Sequence, residues 1–301
     1  IKGCCHSHLL PEFLAGTISE NELFEISFDD YICRGIKLRT GQSVVNVDIQ
    51  KKEVLLDHKE VLPFKGLVIA VGGKPRIPEP LLIFKDLMFT LKSFSDTKVW
   101  QEKLLQVDSI LMLGGDLTSL SVTKALLTLK KKIYFMLNED AFWPLRFNKK
   151  LSDDVSRKLD EKGVEVLTGS EIKGLACVSE HACQVRIDNY EIGVGMVGAF
   201  FGLTPDVKFL VRSGLQIDRG ILVDEYLSTG FEGIYATGDC AQIYHPELRD
   251  YWISIGTKNA RALGRIAAIN LAGGMEKTKV PSTSIFDVQG IKINTSWWTE
   301  F

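Results

Sequence analysis

The stretch SILMLGGDLTSLSVTKALLTLKKKIYFML, residues 109–137, holds three elements in succession. Its opening, SILMLGG (109–115), is a continuous apolar run closed by two glycines, which suits a strand buried on both faces. TSLSVTKALLTLKKK (118–132) then sets apolar residues at helical spacing, and IYFML (133–137) supplies a second buried strand. Strand, glycine turn, helix and strand in that order make a βαβ unit, the seed of a parallel sheet.

Working outward, LSDDVSRKLDEKGVEVLTG (151–169) predicts a helix opened at Ser152, stopped at Gly163 and followed by a strand. Residues 183–188 and 192–200 alternate or run apolar, and GILVDEYLSTGFEGIYATGDC (220–240) gives two more strands around a polar turn. SIGTKNARALGRIAAINLAGG (254–274) reads as an amphipathic helix closed by glycines. Upstream, VVNVDIQ (44–50) and KEVLLD (52–57) alternate as a half-buried hairpin, and GLVIAVGG (66–73) repeats the buried-strand design. Pro-containing stretches around 75–90, at Pro205 and at Pro281 mark boundaries. A domain inserted between them leaves its flanks to form one discontinuous domain. The expected fold class is therefore α/β, with two three-layer dinucleotide-binding domains and the start of a small C-terminal α+β domain. The ranges are 1–90 with 205–280, 91–204, and 281–301.

Composition narrows the function. The chain has 301 residues, 45% hydrophobic and 25% charged, and a net charge of −2. That balance offers no basic field for nucleic acid or an anionic membrane. No apolar run reaches the ~18 residues of a spanning helix, and IKGCC is no signal peptide. The six cysteines are scattered without a CxxC pair, which reads as thiols of a reducing compartment and predicts a cytoplasmic protein. Cys4, Cys5, His6 and His8 do not make a metal site on this reading, because adjacent cysteines cannot easily ligate one ion.

Glycines at strand ends carry the site reading. A glycine at the C-terminal end of a parallel strand lets a ligand approach the backbone, because no Cβ intervenes. IAVGGKPRIP (69–78) places Gly72 and Gly73 at such an end, and IYATGDCAQ places Gly238 there, followed by Asp239. With these motifs the chain resembles the FAD-dependent pyridine-nucleotide oxidoreductases, nearest to the NADH:rubredoxin oxidoreductase and nitrite reductase flavin-domain branch. HSHLLPEFLAG (6–16) is similar to the family's segment beside the flavin, with Val71 for a usual threonine in the next motif. Residues 200–242 match the second FAD-binding stretch.

The resemblance implies FAD contacts at Val44, Ala70, Gly72, Lys92, Gly238, Asp239 and Thr257, and a nicotinamide-site turn at Gly114 and Gly115. An N-cap is the alternative reading of Asp239. The resemblance further implies electron transfer from NAD(P)H through FAD to a small rubredoxin-like or iron–sulfur protein. No side chain is assigned as acid or base, and no role is assigned to Trp252, Trp297, Trp298 or Lys258. His8 stands where related disulfide reductases have a catalytic cysteine, which argues against thiol–disulfide chemistry.

Two departures qualify this. The family opens with a strand and GxGxxG turn for the FAD pyrophosphate, and this sequence begins after that point. In the inserted domain the corresponding turn is Gly114-Gly115-Asp116-Leu117-Thr118-Ser119, with Asp116 and Ser119 at the second and third glycine positions. A carboxylate there faces a diphosphate, and two unit charges at ~4 Å cost about 1 kcal/mol in water and about 4 kcal/mol at an effective dielectric of 20. Ser121 replaces the family's glutamate, and Leu137 its ribose-binding acid, for which Asn138, Glu139 or Asp140 are nearby substitutes. Weakened or lost NAD(P)H binding follows as an expectation. The rivals are a flavoprotein subunit fed by a partner protein, or a non-catalytic scaffold.

Overall fold

The structure, a computed structural model, describes residues 3–137, 149–246, 249–253, 256–279, 284–288 and 291–295. The chain divides into two compact units. One is made of Ile1–Cys4, Ile26–Lys74 and Thr204–Pro281, the other of Cys5–Glu25, Pro75–Leu203 and Ser282–Phe301.

The second unit is built on the βαβ stretch. Strands Glu165–Thr168, Lys132–Leu137, Ser109–Gly114 and Met196–Phe200 lie side by side in that order, all parallel. Because successive strand residues point to opposite faces, the apolar runs divide between two cores. Ile110, Met112, Ile133 and Phe135 enter one with Trp100, Leu120, Leu126, Val155 and Leu159 from the helices Phe94–Leu104, Leu117–Thr128 and Lys149–Asp160. Leu111, Leu113, Tyr134, Met136, Val197 and Ala199 enter the other, against Leu175, Val185, Ile187 and Val194. Those four come from an antiparallel sheet, Ile172–Ser179, Ala182–Ile187 and Tyr190–Val194. Helices, parallel sheet and antiparallel sheet thus form three layers. The segment 5–25 belongs to this unit: Leu10, Phe13, Leu14 and Leu23 are buried in the helix-side core.

The first unit has smaller sheets. Val44–Asp48, Glu53–Leu56 and Val61–Pro63 form an antiparallel meander, with Val44 opposite Leu56. Leu67–Ile69 pairs in parallel with Ile234–Ala236, and Ile221–Val223 joins Ala241–His245 and Asp250–Ile253. The helix Thr257–Leu271 ends where Asn270, itself buried, donates from Nδ2 to the Tyr226 and Glu276 carbonyls and accepts from the Glu276 N–H.

Three sequence expectations need correction. GLVIAVGG is not a strand buried on both faces: the strand is Leu67–Ile69, only Ile69 of it is fully buried, and Val71 is 47% exposed. The run mixes a short strand with the exposed turn that follows it, which apolarity alone does not separate. The helix expected from Ser152 begins at Lys149, so Ser152 lies inside it. And the cysteines are not all thiols, because Cys177 and Cys183 form a disulfide. They are direct cross-strand partners in the antiparallel sheet, with Cα atoms 3.9 Å apart. Cys4, Cys5, Cys33 and Cys240 take no part in a disulfide.

Candidate cofactor-binding site

Parallel pairing brings two of the sequence motifs to one edge. With Ile234 opposite Leu67 and Ala236 opposite Ile69, both chains leave their strands together, one as Ala70-Val71-Gly72 and the other as Thr237-Gly238-Asp239. The Thr237 N–H donates to the Ile69 carbonyl at 3.0 Å and fixes the junction. Beneath it the buried Cys240 thiol donates to the carbonyls of Thr237 (3.2 Å) and Ile69 (3.5 Å). Burial pushes that thiol above the usual range, so it is a structural group and no nucleophile.

Gly72 and Gly238 have φ of +65° and +71°, values that favour glycine. A Cβ on Gly238 would lie 3.7 Å from the Ala260 Cβ, which shows how closely the first turn of the Thr257–Leu271 helix rides over the glycine. Ala70, Gly72, Gly238, Asp239 and the Thr257 helix are therefore gathered at one place. The Thr237 hydroxyl, missed in the sequence, is buried there with no hydrogen-bond partner among the described residues.

The other expected contacts lie on other elements. Val44 is on the antiparallel meander, 37% exposed. Lys92 is in the second unit, its backbone N–H bonded to Asp96 Oδ2 at 2.9 Å just ahead of the helix Phe94–Leu104. The 6–16 segment is likewise in the second unit. Asn138, Glu139, Asp140, Trp297 and Trp298 lie outside the described residues, as does the side chain of Lys258.

The glycine turn of the second unit is closed on itself. Gly114 has φ +99°, and the Gly115 N–H donates to the Phe200 carbonyl at 2.9 Å. Asp116 is the N-cap of Leu117–Thr128: Oδ1 accepts from the Ser119 N–H and Oδ2 from the Gly202 N–H, both at 2.9 Å. Ser119 is fully buried and donates from Oγ to the Asp116 carbonyl at 2.6 Å. Desolvation pushes the half-buried Asp116 carboxyl above the usual range, against the amides of Ser119, Gly202 and Thr118, which hold it down. The sequence signal for this cap was present, an aspartate three residues before a serine at the head of an apolar helix.

A family model described as pyridine nucleotide-disulphide oxidoreductase matches residues 3–262. The chain belongs to that family. Putidaredoxin reductase CamA of Pseudomonas putida is 28% identical over 281 residues, covering 88% of this chain and 65% of that protein. The nitric oxide reductase FlRd-NAD(+) reductase of Salmonella gallinarum is 28% identical over 241 residues, covering 79% of this chain and 63% of that protein. The chain thus spans less than two thirds of either relative. A crystal structure of the covalent putidaredoxin reductase–putidaredoxin complex superposes with TM-score 0.85 at 22% identity, covering 95% of this chain and 70% of that one. The likeness bears out the expected α/β class with dinucleotide-binding domains.

Among the described residues no three His, Cys, Asp or Glu side chains gather as a metal site, and no helix is long and apolar enough to cross a membrane. Cys4 is exposed and Cys5 partly so, while His8 precedes Leu10, Pro11 and Phe13 as the sequence has it.

Proposed function

We propose that this chain is the nucleotide-binding body of a FAD-dependent oxidoreductase that passes electrons from NAD(P)H to a small rubredoxin-like or iron–sulfur protein. The observation that carries the reading is the parallel strand edge where Gly72, Gly238 and Asp239 meet beside the unsatisfied, buried Thr237 hydroxyl. A buried hydroxyl left without a partner costs on the order of 1–3 kcal/mol, which a bound ligand oxygen would recover. The residues fit FAD on that ground. Gly72 and Gly238 open the backbone, Thr237 offers a hydroxyl, Asp239 a carboxylate, and the Thr257 helix aims its N-terminus at the edge. Val44 and Lys92 are retained as outer contacts of the same cofactor, and Gly114 and Gly115 as the nicotinamide-side turn.

When bound, FAD supplies two-electron acceptance and one-electron release. The protein's part is to bind, orient and exclude water. The relatives' names, a putidaredoxin reductase and a flavorubredoxin-type reductase, support the choice of a small redox protein as acceptor. Placement in the cytoplasm rests on the six scattered cysteines without a CxxC pair, against which the Cys177–Cys183 disulfide stands, and recovery of the native protein outside the cytoplasmic fraction would refute it.

The test is an anaerobic titration of the full-length, FAD-reconstituted protein with NADH, followed near 450 nm. Stoichiometric bleaching is expected, and a flavin that dithionite reduces but NADH does not would assign the donor role to another protein. Thr237→Val is expected to weaken FAD binding by at least about fivefold, the equivalent of ~1 kcal/mol.

A further inference from the structure

Asp116 stands at the N-terminus of the helix Leu117–Thr128, in the glycine turn of the second unit. The N-terminus of the helix Leu117–Thr128 and the preceding glycine turn form the kind of place where backbone N–H groups and the helix dipole attract an anion. Here those donors already have partners inside the protein. The Ser119 and Gly202 N–H groups end on the two oxygens of Asp116, and the Gly115 N–H ends on the Phe200 carbonyl. The carboxylate reaches from the start of the helix to Gly202, just past the strand Met196–Phe200, so it spans the mouth of the turn.

We propose that the Asp116 carboxylate is a built-in anion that occupies the phosphate seat of the second unit and sets its affinity for pyridine dinucleotides. This rests on the reading of that unit as the nicotinamide-type domain. A diphosphate entering the seat has to displace the carboxylate from both N–H groups and meets its charge at short range. Removing the charge leaves the same donors free to the ligand. Asp116 is therefore a specificity residue: it disfavours the pyrophosphate, while leaving contacts to an adenosine or nicotinamide ring untouched.

Calorimetric titration of the full-length, FAD-reconstituted protein with NAD+ and with ADP-ribose, neither of which reduces the flavin, tests this without relying on turnover. The unaltered protein is expected to bind both weakly. Asp116→Ser keeps an oxygen to cap the Ser119 N–H and is expected to bind each at least about tenfold more tightly. Asp116→Asn keeps the size without the charge and is expected to show the same direction should the serine variant fold poorly. Adenosine, with no phosphate, is the control, its affinity expected to stay the same in all three proteins. The proposal is overturned if the unaltered protein binds NAD+ below about 10 μM, well inside the usual range of enzyme–substrate affinities. It is equally overturned if neither variant tightens, or if adenosine tightens as much as ADP-ribose. A protein that takes up no flavin at all refutes the oxidoreductase reading instead, which the absorbance near 450 nm reports separately from nucleotide affinity.

Discussion

Gly114 is the residue at which the least change is tolerated. A Cβ built there would stand 1.9 Å from the Phe200 carbonyl oxygen, and its φ of +99° is one that side chains rarely adopt. Gly114→Ala is expected to cost more than about 3 kcal/mol, measured by urea unfolding, since a backbone atom has to move. At the surface, Arg39, His58 and Glu60 form a different kind of local arrangement. Glu60 accepts from Arg39 at 2.8 Å and lies 2.9 Å from His58 Nε2, and these contacts hold its carboxyl down at about 2. His58 is pushed above 6.5, first by Glu60 and then by Asp57. The signs differ. Glu60's contribution is present above its ordinary 4.5 and lost as pH falls toward about 2, whereas His58's is present below 6.5 and lost as pH rises through its raised value. All of these groups are exposed, so screening keeps the effect on stability small. The readout to use is NMR titration of His58: in Glu60→Gln its pKa is expected to fall back toward the ordinary value, and an unchanged titration would show that Glu60 does not hold it.

Among the elements, legibility followed how much of the pattern was purely local. The strands Ser109–Gly114 and Lys132–Leu137 and the helix between them were readable because long apolar runs and helical spacing leave few alternatives. GLVIAVGG was misread because its apolar run continues past Ile69 into a turn, and no local signal separates strand from exit. The Thr237 hydroxyl was not legible, since its lack of a partner follows from a strand pairing between residues 167 positions apart, 234 with 67. The disulfide had a faint signal: two cysteines six residues apart bracketing the turn of a hairpin fall opposite each other. Closing so short a loop stabilises by about 2 kcal/mol in the chain-entropy picture. The double variant Cys177→Ser/Cys183→Ser is expected to lose about that much in a chemical melt. Mass spectrometry of a non-reduced digest is expected to find residues 177 and 183 in one linked peptide, and separate peptides from protein handled without reductant would reject the bond.

On the scale of the molecule, what stands out is that neither compact unit is one continuous piece of chain. Residues 5–25 bring Leu10, Phe13, Leu14 and Leu23 into the core shared with the helices of 75–203. A fragment of 75–203 alone would expose the apolar surface those side chains cover, and burying four of them is worth several kcal/mol at about 1.5–3 kcal/mol each. We therefore expect 75–203 to melt well below a chain in which 5–25 is joined to it by a flexible linker, as followed by far-ultraviolet circular dichroism. Equal melting temperatures would show that the 5–25 segment is not part of that core. The fold class was readable at this scale from the order of elements. The attachment of 5–25 was not, since nothing local in a short helix records which core receives it.

The interleaving also fixes an order of events during synthesis. By the time the ribosome has passed Leu203, the parallel sheet of the second unit, its antiparallel cover and the 5–25 segment have all been made. The first unit at that moment has the helix Phe28–Cys33, its meander and the lone strand Leu67–Ile69, whose partner Ile234–Ala236 has yet to be translated. Translation at about 5–20 residues per second leaves that strand waiting on the order of ten seconds, a long time beside the microseconds in which hairpins form. The edge proposed for the cofactor thus closes late, and a nascent chain stalled before residue 234 would carry the sheets of the second unit beside an unpaired strand.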